Sequence, residues 1–84
     1  MELKEELTRL LEDPDSRIHS PELDLEEHAG GKVGGFVISD TFAGMPQIDR
    51  QNLLWGYLDK RLGRDKVEKI IALVTVTPEE AQDE

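Results

Sequence analysis

Two histidines, His19 and His28, are the only imidazoles in the chain, and cysteine is absent. The second histidine closes an acidic run, Glu26-Glu27-His28, whose donors are of the kind that hold a hard metal ion. Adjacent carboxylates on an extended strand point to opposite faces, so the run reads more simply as solvated polar surface, with His28 as the one candidate metal ligand. Three serines and four threonines offer hydroxyls, but neither histidine has surroundings that mark it as the base of a nucleophile. Without thiols there is no disulfide framework, no thiolate nucleophile and no Cys-based zinc or iron–sulfur site. Gly30-Gly31-Lys32-Val33-Gly34-Gly35 has the glycine density of a phosphate loop but neither its spacing nor its Lys-Ser/Thr pair, and a strand follows it. It reads as a hairpin turn. These residues predict a protein that is not an enzyme, has no cofactor of its own and takes no small-molecule substrate.

Charge is the next constraint. The chain has 84 residues, 19 acids and 10 bases, for a net charge of −9. Residues 1–28 carry a net charge of −7, residues 29–76 carry +2 and residues 77–84 carry −4. Phosphate backbones are attracted to basic surfaces, so nucleic acid is not an expected partner. One local exception sets Lys60, Arg61, Arg64, Lys66 and Lys69 against Asp65 and Glu68. A cationic run of this kind suits a helix C-terminus, and it is also where an acidic partner would be steered. The longest apolar run, Ile70 to Val76, is far short of the roughly 20 residues that span a bilayer. Glu2, Glu5 and Glu6 stand where an export signal would place positive charge. A cytoplasmic protein without membrane contact is expected. At 37% hydrophobic and 35% charged, the chain fits one small domain over 1–84, dependent on packing for its stability.

The elements follow from periodicity. Leu3, Leu7, Leu10 and Leu11 mark an amphipathic helix over 1–12, ended by Asp13-Pro14. Residues 20–28 are ambiguous. Leu23 and Leu25 alternate as in a half-buried strand, whereas Ser20-Pro21-Glu22 has the form of a helix N-cap followed by proline and an acid. Ala29-Gly30-Gly31 is a turn, and Phe36-Val37-Ile38 centres a strand starting near Lys32. A second helix, the longest, is predicted over 46–62, with Ile48, Leu54, Trp55, Leu58 and Leu62 buried against Phe36, Ile38, Ile71 and Leu73. Gly56 within it predicts close approach to the sheet, and Gly63 predicts a glycine stop. Residues 65–69 form one further turn, Ile70–Val76 a buried strand, and Thr77-Pro78-Glu79-Glu80 a capping box opening a short helix in the acidic tail, 77–84. A right-handed crossover and a short hairpin give an α+β fold, a mixed three-stranded sheet with helices on one face.

Ser39-Asp40-Thr41-Phe42-Ala43-Gly44, followed by Ile48-Asp49-Arg50-Gln51, resembles the BolA family, in which Ser-x-x-Phe-x-Gly follows a strand and an Arg-His pair opens the main helix. Ile71 to Glu80, ending Thr-Pro-Glu-Glu, resembles the family's closing strand. The likeness covers about residues 33–80. It implies an α-β-β-α-β, class II KH-like fold with a short extra helix before the last strand, and a strand near Leu23 to Glu27. It also implies pairing with a monothiol glutaredoxin in iron–sulfur or stress-related regulation. In that family a histidine near the start of the last strand and a Cys or His in the first hairpin help hold a shared cluster. Here the positions matching the family's histidines carry Lys69, Lys32 and Gln51, and an ammonium has no lone pair to offer iron.

Three functions are therefore open. The first is an interaction or regulatory protein that binds a partner without supplying cluster ligands, with Arg50, Lys66 and Lys69 as the docking patch. The second is a metal-linked protein using His28. The third is a nucleic-acid-binding transcriptional regulator on a KH-like scaffold, opposed by the acidic charge and the missing Gly-x-x-Gly loop between helices.

Overall fold

In the computed structural model, residues 2–82 are described. Helix α1 (Leu3–Glu12) is followed by a 3-10 turn (Pro14–Ser16), strand β1 (Glu22–His28), the turn Ala29–Gly31 and strand β2 (Lys32–Ile38). A second 3-10 turn (Asp40–Phe42) leads to α2 (Gln47–Leu62), a short α3 (Arg64–Val67), β3 (Ile70–Val76) and α4 (Pro78–Gln82). The sheet order is β1-β2-β3, with β1 antiparallel and β3 parallel to the central β2. This is the mixed α+β arrangement expected from the sequence, with the longest helix at the expected place.

Helix α1 buries Leu7 and Leu11 completely, with Leu3 and Leu10 packed at the core edge, as the leucine spacing requires. On α2 the fully buried leucines are Leu54 and Leu58, continued by Leu62. They meet Leu25, Val33, Val37, Ile70 and Leu73 from the sheet, and Phe42 from the turn before α2. The helix ends at Gly63, whose φ of 83° is the positive value that a glycine stop supplies.

The ambiguity at residues 20–28 resolves as a strand. Leu23 and Leu25 turn to the core while Glu22, Asp24 and Glu26 face outward, and all seven residues of β1 pair with β2. Hydrogen bonding along a whole strand outweighs what a single cap could supply.

The expected faces of the strands need correction. Phe36 and Ile71, placed against α2 by the sequence reading, are 40% and 57% exposed, and Ile38 is only half-buried. Residues of the opposite parity, Val33 and Val37, face the helices instead. On β3, Val33 pairs with Ile70 but Gly34 pairs with Ala72, so Ile71 is an extra residue that shifts the alternation. Ile48 is also misplaced by the sequence reading, at 66% exposed. The i, i+4 line through Leu62, Leu58 and Leu54 continues back to Arg50, not to Ile48.

Gly56 is exposed, and a Cβ added there would meet nothing within 4 Å, so close approach to the sheet is not its reason. The close approach occurs at Gly35. A Cβ there would lie 2.0 Å from the Asp24 carbonyl oxygen, so only glycine lets β2 run this near to β1.

Candidate functional site

Lys32 and Lys69, two of the positions that the sequence resemblance matches to histidines, lie at one end of the sheet. The β1–β2 hairpin turns through Ala29–Gly31, and the last register pair of the strands is His28 with Lys32. Beside it, the Val33 N–H donates to the Lys69 carbonyl at 3.0 Å, which ties the start of β2 to the start of β3. Lys32 and Lys69 thus flank a single backbone hydrogen bond, both exposed. A depression of about 280 Å³ opens here, lined among others by Glu6, Glu27, Gly31, Val33, Lys66 and Lys69.

Its charges are mixed. The Lys66 ammonium lies 2.9 and 2.8 Å from the two carboxylate oxygens of Glu6, joining α3 to α1. That exposed pair neutralises much of what Lys66 could offer a partner. Among the described residues Lys69 pairs with no acid. Lys69 lines the depression, whereas Lys32 stands opposite His28 in the last row of β1 and β2 and is not part of its lining. An ammonium nitrogen has no free lone pair with which to bind iron.

Arg50 does not belong to this patch, which corrects the expectation that grouped it with Lys66 and Lys69. It is 6% exposed, and its guanidinium is committed inside the molecule. Its Nε donates to the Met45 carbonyl at 2.9 Å, and Nη1 donates to the Thr75 carbonyl at 3.1 Å and to Glu80 Oε1 at 2.7 Å. The same group lies over the Phe42 ring, 5.9 Å from its centre. Arg50 therefore fastens the start of α2 to the end of β3 and to α4. Glu80 is held from its other side by the expected capping box. The Thr77 N–H donates to Glu80 Oε1 at 2.8 Å, and the Glu80 N–H donates to Thr77 Oγ1 at 3.1 Å. The hydrogen bond from Arg50 first, then that from the Thr77 backbone, holds the Glu80 carboxyl below its usual 4.5.

The motif residues that carry the family likeness are structural in the same sense. Ser39 Oγ donates to the His19 carbonyl at 2.6 Å and accepts from the Thr41 N–H at 3.1 Å. Thr41 Oγ1 in turn accepts from the His19 N–H at 2.8 Å. The Ser-x-Thr step thereby locks the entry to β1 onto the exit of β2, and Phe42 is fully buried. At the family's Arg-His position, Gln51 belongs to a side-chain chain. Trp55 Nε1 donates to Gln51 Oε1 at 2.7 Å, and Gln51 Nε2 donates to Thr75 Oγ1 at 3.3 Å. The buried Thr75 hydroxyl donates onward to Gln47 Oε1 at 3.3 Å. The sequence reading missed Thr75 because a threonine inside a β-branched run carries no polar signal of its own.

His28 is exposed, and among the described residues no three His, Asp or Glu side chains converge on a metal position. The alternation that sends Glu26 and His28 to one face sends Glu27 to the other. Elsewhere, the Tyr57 hydroxyl donates to the Leu10 carbonyl at 2.8 Å, capping α1, and burial pushes its pKa up. Compared with protein-family models, with curated proteins and with solved structures, the chain matches none of them.

Proposed function

We propose that the protein is a BolA-like interaction and regulatory protein of the cytoplasm, without catalytic activity. On this reading it binds a partner of the monothiol glutaredoxin type in iron–sulfur or stress-related regulation and contributes no cluster ligand. The observation that carries the reading is the meeting of Lys32 and Lys69 across the Val33–Lys69 hydrogen bond. Two positions 37 residues apart in the chain, each matched by motif to a signature histidine of the family, come to the same sheet end. The α-β-β-α-β order with a short helix before β3 supports it further. With ammonium groups in place of imidazoles, that end favours docking of a carboxylate-bearing surface and disfavours a shared metal. Arg50 takes no part, and Lys66 contributes only as far as its pair with Glu6 is released.

Titration of the purified protein with a monothiol glutaredoxin from the same organism, apo and cluster-loaded, tests this reading. Binding to both forms is expected, with an on-rate that falls about tenfold in Lys32→Glu/Lys69→Glu while the unfolding midpoint stays put. Binding of neither form, or binding indifferent to both reversals, overturns it.

A further inference from the structure

The face of the sheet turned away from α1 and α2, which α4 reaches only at its Ile38–Val76 end, is built in register as an acidic column beside an apolar strip. Across the three strands, Glu22 pairs with Ile38 and Ile38 with Val76; Asp24 pairs with Phe36 and Phe36 with Val74. In the next row Glu26 pairs with Gly34 and Gly34 with Ala72. Each row is an acid followed by two apolar positions. The acid column stops where the row His28–Lys32 begins. Phe36 and Val74 are 40% and 44% exposed, and Ile71, bulged outward, adds to the strip. Phe36 stands as a ridge between two hollows. One, of about 280 Å³, has the side-chain-free Gly34 and the small Ala72 at its floor, and the other, of about 160 Å³, lies against Ile38, Val76 and Ala81.

We infer that this open face docks a cationic amphipathic helix of a partner protein, its apolar side on the β2–β3 strip and its Lys/Arg flank against Glu22, Asp24 and Glu26. The spacing fits. Alternate residues of a strand lie about 6.7 Å apart, and residues i and i+4 of a helix are about 6 Å apart along its axis. Three acids on β1 therefore match three bases at i, i+4 and i+8 within about 2 Å over the whole run. Strands about 4.8 Å apart place the acid column some 10 Å from β3, close to the width of one helix. A second copy of the chain is the wrong occupant. Opposing faces would bring acid columns together or leave them over apolar strips, on molecules that each carry −9. This inference stands apart from the hairpin-end docking and rests on different residues.

The probe is a synthetic helical peptide of about four turns, with leucines along one side and lysines at i, i+4 and i+8 beside them. A control peptide has glutamates in place of those lysines. Fluorescence anisotropy is expected to show the lysine peptide binding at least about tenfold more tightly than the control. A drop of about tenfold is expected in Phe36→Ser and again in Asp24→Lys/Glu26→Lys. Glu5→Lys/Glu12→Lys, an equal change of net charge on α1, is expected to leave binding within about twofold. Equal binding of the two peptides, or equal loss in the α1 variant, would reduce the effect to general charge attraction and overturn the inference. So would a Phe36-dependent dimer in sedimentation, which would assign the face to a second copy.

Discussion

Arg50 occupies a position where an apolar side chain would be expected from helix geometry, and it keeps its charge there by satisfying the donors of its guanidinium. Its partners are two backbone carbonyls and one carboxylate, Glu80, which itself remains half-exposed. A buried cation needs those partners, because leaving it alone in the interior would cost far more than any single hydrogen bond contributes. The consequence is testable through pH. Because Glu80 titrates below its usual 4.5 in the folded protein, its contribution is fully present above that value and is lost as the pH falls through the lower folded value. In urea unfolding, Glu80→Gln should therefore lie furthest below the parent protein near neutral pH, with the two midpoints converging in acid. A gap that stays constant with pH would show that the carboxylate's charge is not what Arg50 uses.

At the scale of elements, the two glycines of interest predict opposite outcomes. Gly56 lies in an exposed helix turn with open space around it, so Gly56→Ala should stabilise the protein by about 0.5–1 kcal/mol through helix propensity and a less free unfolded chain. Gly35 lies against the β1 backbone, which cannot yield as a side chain can, so Gly35→Ala should destabilise by at least about 2 kcal/mol. Denaturant midpoints of the two variants check both signs. The contrast also marks what was legible in the sequence. Features whose chemistry is local were readable from a few residues: the leucine spacing of α1, the Thr77–Glu80 box and the stop at Gly63. The inward faces of β2 and β3 were not. An apolar run carries no alternation to reveal its parity, and the bulge at Ile71 is set by pairing with a distant strand. The same gap hid the open face. The acids of β1 alternate visibly in sequence, but only the hairpin register puts them beside Phe36 and Ile38. The charged patch was misjudged for a different reason: the i, i+4 line of Leu54, Leu58 and Leu62 already pointed Arg50 inward, but its charge was read as surface.

Over the whole molecule, the acidic excess and the ion pairs pull stability in opposite directions as salt is added. The acids are concentrated on α1, β1 and the tail, while among the described residues the exposed pairs are Arg61 with Asp15 at 3.0 Å and Lys66 with Glu6 at 2.8 Å. Pairs of this kind contribute about 0–1 kcal/mol each and weaken with salt. Arg50 with Glu80 is more sheltered on its arginine side and should respond less. Repulsion within a chain of net charge −9 acts over longer distances, so it is the first interaction to be screened as the Debye length falls from about 30 Å at 0.01 M to about 10 Å at 0.1 M. Repulsion should dominate, and the melting temperature should rise with sodium chloride over that range. Relief of even about 0.5 kcal/mol corresponds to roughly 2–4 °C for a domain of this size. A melting temperature that falls over the same range would reverse the ranking, placing the α1–α3 pair of Glu6 and Lys66 above the long-range repulsion. Glu6→Gln should then remove the fall, since it deletes that pair while lowering, not raising, the net negative charge.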